Sequence, residues 1–122
     1  MQHPKLTLVV GASENPQRYS NIATKRLVLH GHPVIAYGLR EGMIGEIPIS
    51  KSWPQHVDID TVTLYVGPER QADLISQIIA LQPKRVIFNP GTENPAFYNQ
   101  LDLAGINYVE ACTLVLLSLG DY

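Results

Sequence analysis

Leu6-Thr7-Leu8-Val9-Val10-Gly11-Ala12-Ser13 is the stretch that decides the fold. Five near-continuously apolar residues run into a glycine, the pattern of a strand covered on both faces rather than one. A helix is expected from near Ser20 to Gly31, which serves as its left-handed C-terminal cap, and Pro33–Tyr37 reads as a second strand. Thr61–Val66 is a third, ended by Gly67-Pro68. The helix after it carries Leu74, Ile75, Ile78 and Ile79 on one stripe and stops at Gln82-Pro83. Arg85–Asn89 is strand four. Asn94-Pro95 supplies an N-cap and a first-turn proline for a helix with Phe97, Leu101 and Ala104 on one face, closed by Gly105. Ile106–Val109 is the fifth strand.

This alternation predicts an α/β fold: a Rossmann-like, doubly wound parallel sheet of about five strands with helices on both faces. Right-handed crossovers suggest the strand order 3-2-1-4-5, with a switch point between strands 1 and 4. Residues 39–60, with Gly42, Gly45, Pro48 and Pro54, lack a helical period and are expected to be loop, with a short strand at Ile47–Ile49. The apolar Thr113–Gly120 segment either packs on the sheet as a last helix or covers a partner subunit.

At 122 residues the chain is expected to form one domain, residues 1–122. Hydrophobic residues make up 45%, which excludes disorder by composition. Nine Lys/Arg against eleven Asp/Glu, scattered along the chain, argue against general nucleic-acid binding. No apolar run is long enough for a membrane span, and Leu6–Val10 is too short for a signal-peptide core, so a cytoplasmic protein is expected. One cysteine, Cys112, supports neither an internal disulfide nor a cysteine-based metal site. The charged fraction of 16%, below the roughly 25% usual for soluble domains, favours a homodimer over a monomer.

Ligands of open α/β sheets bind beyond the carboxyl ends of the strands. Four loops converge there: Gly11-Ala12-Ser13, Tyr37-Gly38-Leu39-Arg40, Val66-Gly67-Pro68 and Asn89-Pro90-Gly91-Thr92-Glu93. A dinucleotide fingerprint is absent, since positions 11–16 read Gly-Ala-Ser-Glu-Asn-Pro. The loop can still offer hydroxyls, helix N-terminal amides and Arg18 to a phosphate, or be an ordinary connection in which Ser20 caps its helix. After strand 2, where NAD-binding folds place an acid, stands Gly38. Arg40 suits a phosphorylated ribose, as in NADP or coenzyme A, or is a solvated loop arginine. No histidine is expected near the strand ends, and no acidic pair makes an acid/base dyad.

Val9-Val10-Gly11-Ala12-Ser13, Pro16-x-Arg18-x-Ser20, Gly31-His32-Pro33-Val34 and Ile44-Gly45, in this order, resemble the small stand-alone CoA-binding proteins. These are similar to the CoA-binding N-terminal domain of the succinyl-CoA synthetase α subunit. The resemblance implies a non-catalytic protein, not an enzyme, that grips coenzyme A or an acyl-CoA by its diphosphate and adenosine. Gly11, Ala12, Ser13, Arg18 and Ser20 match the phosphate-side loop, and Arg40 lies where a basic residue near the adenosine sits. Gly91, Thr92 and Glu93 fall in the strand-4 loop that closes over the ligand. Gly38-Leu39 and Asn89-Pro90-Gly91 depart from the family's usual endings of strands 2 and 4. An NADP-binding redox-type protein and an interaction module with a vestigial nucleotide pocket are the rival readings. A bulky residue at Ser13 or Gly11 is expected to block the ligand and leave the fold intact.

Overall fold

The computed structural model describes residues 3–122. Seven strands form one sheet: β1 (Thr7–Val10), β2 (Val34–Tyr37), β3 (Gly42–Ile44), β4 (Ile47–Ser50), β5 (Thr61–Leu64), β6 (Arg85–Phe88) and β7 (Asn107–Glu110). Four helices accompany them: α1 (Tyr19–Leu29), α2 (Ala72–Leu81), α3 (Pro95–Ala104) and α4 (Thr113–Leu119), with a 3-10 turn at Pro68–Arg70 ahead of α2. The spatial order is β3-β4-β2-β1-β5-β6-β7, parallel except for the β3–β4 hairpin. The chain is thus an α/β protein of the Rossmann-like kind.

Two expectations are corrected. Residues 39–60 are mostly loop, and the short strand expected at Ile47–Ile49 is present as β4, but Gly42–Ile44 adds an unexpected strand that pairs antiparallel with it, and β4 pairs parallel with β2 through Ala36↔Ile49 and Tyr37↔Ser50. That pairing covers the free edge of β2, so Thr61–Leu64 joins the other open edge, beside β1, in the register Thr7↔Thr61 to Val10↔Leu64. The strand expected outermost is therefore central, and the sheet has seven strands rather than about five. The switch point moves with it, to the gap between β1 and β5.

Strand alternation sorts the core into two layers. Leu8, Val10, Val62, Leu64, Val86 and Phe88 face α2 and α3, meeting Ile78, Phe97 and Leu101. Val9, Ala36, Ile49 and Ile87 face α1 and α4, meeting Leu27 and Leu117. Both faces of β1 and β5 are covered, which is why all four residues of each strand are buried. Phe88 packs edge-on against Phe97 (5.2 Å) and the partly buried Tyr98 (4.6 Å), and Phe88 and Phe97, fully buried, each contribute about 1.5–3 kcal/mol by burial alone.

α4 packs on the sheet through Thr113 and Leu117, leaving Val115 and Leu119 exposed. Asn94 caps α3 as expected, its side chain accepting from the Phe97 amide. Among the described residues no helix is long and apolar enough to cross a membrane.

Candidate ligand cleft at the strand ends

The floor of the site is set by two glycines. Gly11 leaves β1 at φ +96°, a conformation L side chains rarely adopt, and its amide and that of Ala12 both donate to the Tyr37 carbonyl (3.0 and 2.9 Å). A Cβ on Gly11 would lie 2.9 Å from the Tyr65 carbonyl oxygen. Gly38, at the end of β2, comes closer still: a Cβ there would lie 2.5 Å from the Ala12 carbonyl oxygen and 3.0 Å from Ile49 Cγ2. The absence of an acid after strand 2 thus has a steric cause, because this position accepts no side chain.

The loop that follows is folded by its own polar groups. Ser13 Oγ accepts from the Asn15 amide (3.1 Å), and Asn15 Oδ1 from the Gln17 amide (3.0 Å). Asn21 Nδ2 donates to the Ser13 carbonyl (2.8 Å). Glu14 Oε2 accepts from the Met43 amide (3.1 Å), tying the loop to the β3–β4 hairpin.

Helix α1 begins without a side-chain cap. Its N-cap is Arg18, which has no acceptor to offer, and Ser20, which the alternative reading of the loop made the cap, is buried inside the first turn. The first turn holds no acidic residue. Among the described residues the amides of Ser13, Glu14, Tyr19 and Ser20 have no acceptor in the protein. These donors and the positive end of the helix dipole point to an anion.

They open into a cleft of about 1010 Å³. Its lining includes Gly11, Ala12, Ser13, Arg18, Ser20, Arg40, Gly91 and Thr92, eight of the residues expected from sequence. Glu93 does not line it; its Oε1 accepts from the Gly91 amide (2.9 Å), so its carboxylate shapes the loop. Thr92 is also committed within the protein, its hydroxyl donating to the Asn89 carbonyl (2.7 Å). Sequence reasoning missed Tyr65, Arg70, Asp73 and Leu74, which line the cleft from β5 and the turn into α2. Placing Thr61–Val66 away from β1 hid them.

The far wall is rigid. Gln71, fully buried, donates from Nε2 to the carbonyls of Val66 and Thr92 (2.8 Å each) and accepts from Asn94 Nδ2 (2.9 Å). Asn89 donates to Thr63 Oγ1 (2.7 Å) and the Leu64 carbonyl (2.8 Å), while its Oδ1 accepts from the Thr113 amide (2.9 Å). It joins β5, β6 and the start of α4 at one point.

Beyond Tyr19, Tyr65 and Pro90 the cleft continues into a side pocket of about 240 Å³, completed by Asn89, Cys112 and Leu114. Burial pushes the Tyr65 phenol up to about 12, so it stays protonated through the physiological range. No histidine lines either space. His32 lies at the opposite end of the sheet, where its Nδ1 accepts from the Lys5 amide (3.0 Å). Burial, and then the nearby Lys5 charge, lower its pKa. Among the described residues no group of three or more His, Cys, Asp or Glu is placed to hold a metal ion.

Among solved structures, an uncharacterized protein is 42% identical, with TM-score 0.96 over 99% of this chain and 100% of its own. A hypothetical protein from Pyrococcus horikoshii OT3 is 27% identical, with TM-score 0.83 over 92% of this chain and 80% of its own. The dinucleotide-forming acetyl-coenzyme A synthetase 1 of Ca. Korarchaeum cryptofilum shares the fold at 17% identity and TM-score 0.67, over 88% of this chain and 25% of that enzyme. No curated protein matches. The profile of a family described as a CoA binding domain matches residues 5–118. With that match spanning nearly the whole sequence, the chain belongs to the CoA-binding domain family.

Proposed function

We propose that the chain, acting as one domain, binds coenzyme A or an acyl-CoA in this cleft and catalyses no reaction itself. One observation carries the reading: the β1–α1 loop and the uncapped start of α1, where the amides of Ser13, Glu14, Tyr19 and Ser20 have no acceptor and their residues line a cleft with Arg18, Arg40 and Arg70. The diphosphate takes the amides of Ser13, Glu14, Tyr19 and Ser20, with Arg18 beside it. Gly11 and Gly38 let the ends of β1, β2 and β5 pack closely enough to form the floor under the ligand, with Ala12 beside them in the lining. Arg40 and Arg70 are the cations available to the 3′-phosphate and adenosine. Gly91 and Thr92 wall the pantetheine end. A purely binding role is supported by the chemistry of the lining, which offers no histidine and only two carboxylates, Glu14 and Asp73, the first already held by the Met43 amide.

A thermal-shift panel with CoA, dephospho-CoA, NAD and NADP tests this. At about 100 times its dissociation constant CoA adds roughly 2.7 kcal/mol, which for a chain of this size raises Tm on the order of 10 °C. A smaller shift with dephospho-CoA is expected, since it lacks the 3′-phosphate. A response to NADP and not to CoA, or to none of the four, would overturn the reading.

A further inference from the structure

The side pocket beyond Tyr19 and Tyr65 has a chemistry unlike that of the cleft it opens from. Its six lining residues, Tyr19, Tyr65, Asn89, Pro90, Cys112 and Leu114, include no charged side chain. The strongest polar groups among them are already engaged or turned away. Both Asn89 Nδ2 bonds go to Thr63 and Leu64, and its Oδ1 holds the Thr113 amide. The Tyr65 hydroxyl is buried near Thr63 and Thr113 without a hydrogen-bond partner, since their own hydroxyls bond each other at 2.8 Å. The remaining lining is the two tyrosine side chains, Pro90, Leu114 and the Cys112 thiol, none of them charged. An occupant therefore gains by apolar contact and finds no partner for a charge.

The pocket's position adds a direction. It shares Tyr19, Tyr65 and Pro90 with the cleft, and Tyr19 opens the helix whose amides would hold the diphosphate. A ligand laid with its adenosine toward Arg40 and its diphosphate on α1 has its thiol end leading toward β6 and α4, where the side pocket lies.

We propose that this pocket is an acyl subsite that selects thioesters of short apolar acids over free CoA and over dicarboxylic acyl groups. The inference rests on the CoA-binding reading above. At about 240 Å³ the pocket suits a few methylenes and excludes a long fatty chain.

Calorimetric titration of the full chain with CoA, acetyl-, propionyl-, butyryl-, succinyl- and palmitoyl-CoA tests it. Each methylene buried is expected to tighten binding about four-fold, and the gain should stop once the pocket is filled. Succinyl-CoA, which would carry a carboxylate into a space without a cation, is expected to bind at least about ten-fold more weakly than butyryl-CoA. Leu114→Trp should flatten the series by filling the pocket. Binding of CoA with no dependence on the acyl chain, or succinyl-CoA as tight as butyryl-CoA, overturns the subsite alone. Failure of CoA and every thioester to bind overturns the reading on which it stands.

Discussion

Gly11→Val is expected to lower the unfolding free energy by about 4 kcal/mol, as the sum of two costs. Holding a β-branched residue at φ +96° costs about 1–3 kcal/mol. Forcing its Cβ against the Tyr65 carbonyl, 2.9 Å away, adds about 1–3 kcal/mol, because that carbonyl sits in backbone and cannot swing aside. For a chain of this size the Tm should fall on the order of 15 °C. The structure thereby changes what Gly11→Val can test. A valine there damages the junction of β1 and β5 along with the cleft, so lost binding would not by itself locate the ligand. Ser13 is half-buried at the cleft wall, away from that junction, and suits the blocking experiment better. Chemical denaturation checks the claim, and a midpoint unchanged from the parent would contradict it.

Asn89→Ala should be about as damaging, near 4 kcal/mol, although the side chain is small. Its amide is buried and fully used. Removing it leaves the Leu64 carbonyl contact and the Thr113 amide without their partner, and each orphaned group costs about 1–3 kcal/mol. Thr63 is spared, since its hydroxyl keeps Thr113 Oγ1 at 2.8 Å. The loss should also reach the cleft, because Asn89 fixes the loop carrying Pro90, Gly91 and Thr92. Equilibrium unfolding would show this as a lower midpoint, and a change below about 1 kcal/mol would mean that water replaces the amide.

Local signals in the sequence placed most elements to within a residue or two, and the reason is physical. β1, β5 and β6 are covered on both faces, so their apolar runs stand out from polar surroundings. Asn94-Pro95 and Gly105 delimit α3 by local hydrogen bonding and dihedral preference, which neighbours in sequence determine. Strand order is a different matter. Whether Thr61–Leu64 lies beside β2 or β1 depends on what occupies the edge of β2, and the occupant, Ile47–Ser50, though expected as a short strand, carries no local signal of the edge it joins. A hairpin of that kind gains its stability from the sheet it joins, so its local pattern shows a strand and not its neighbour.

The cleft followed the same division. Residues next to a strand end, such as Gly11, Ser13 and Arg40, were legible because the α/β architecture sends ligands there. Arg70 and Asp73 reach the cleft only through the β1–β5 adjacency, so the wrong order concealed them. Glu93 stood in the right loop, but its use on the Gly91 amide depends on a turn geometry that composition does not encode.

The central claim is that the unclaimed amides of the β1–α1 loop and the start of α1 hold the ligand's phosphates. The most direct measurement is an amide NMR titration with CoA, followed residue by residue. The expected result is large shifts at Ser13, Glu14, Tyr19 and Ser20, with smaller ones along the cleft at Gly38, Arg40 and Gly91. Saturable binding that leaves those four amides unmoved, with shifts gathered elsewhere on the sheet, would contradict the account.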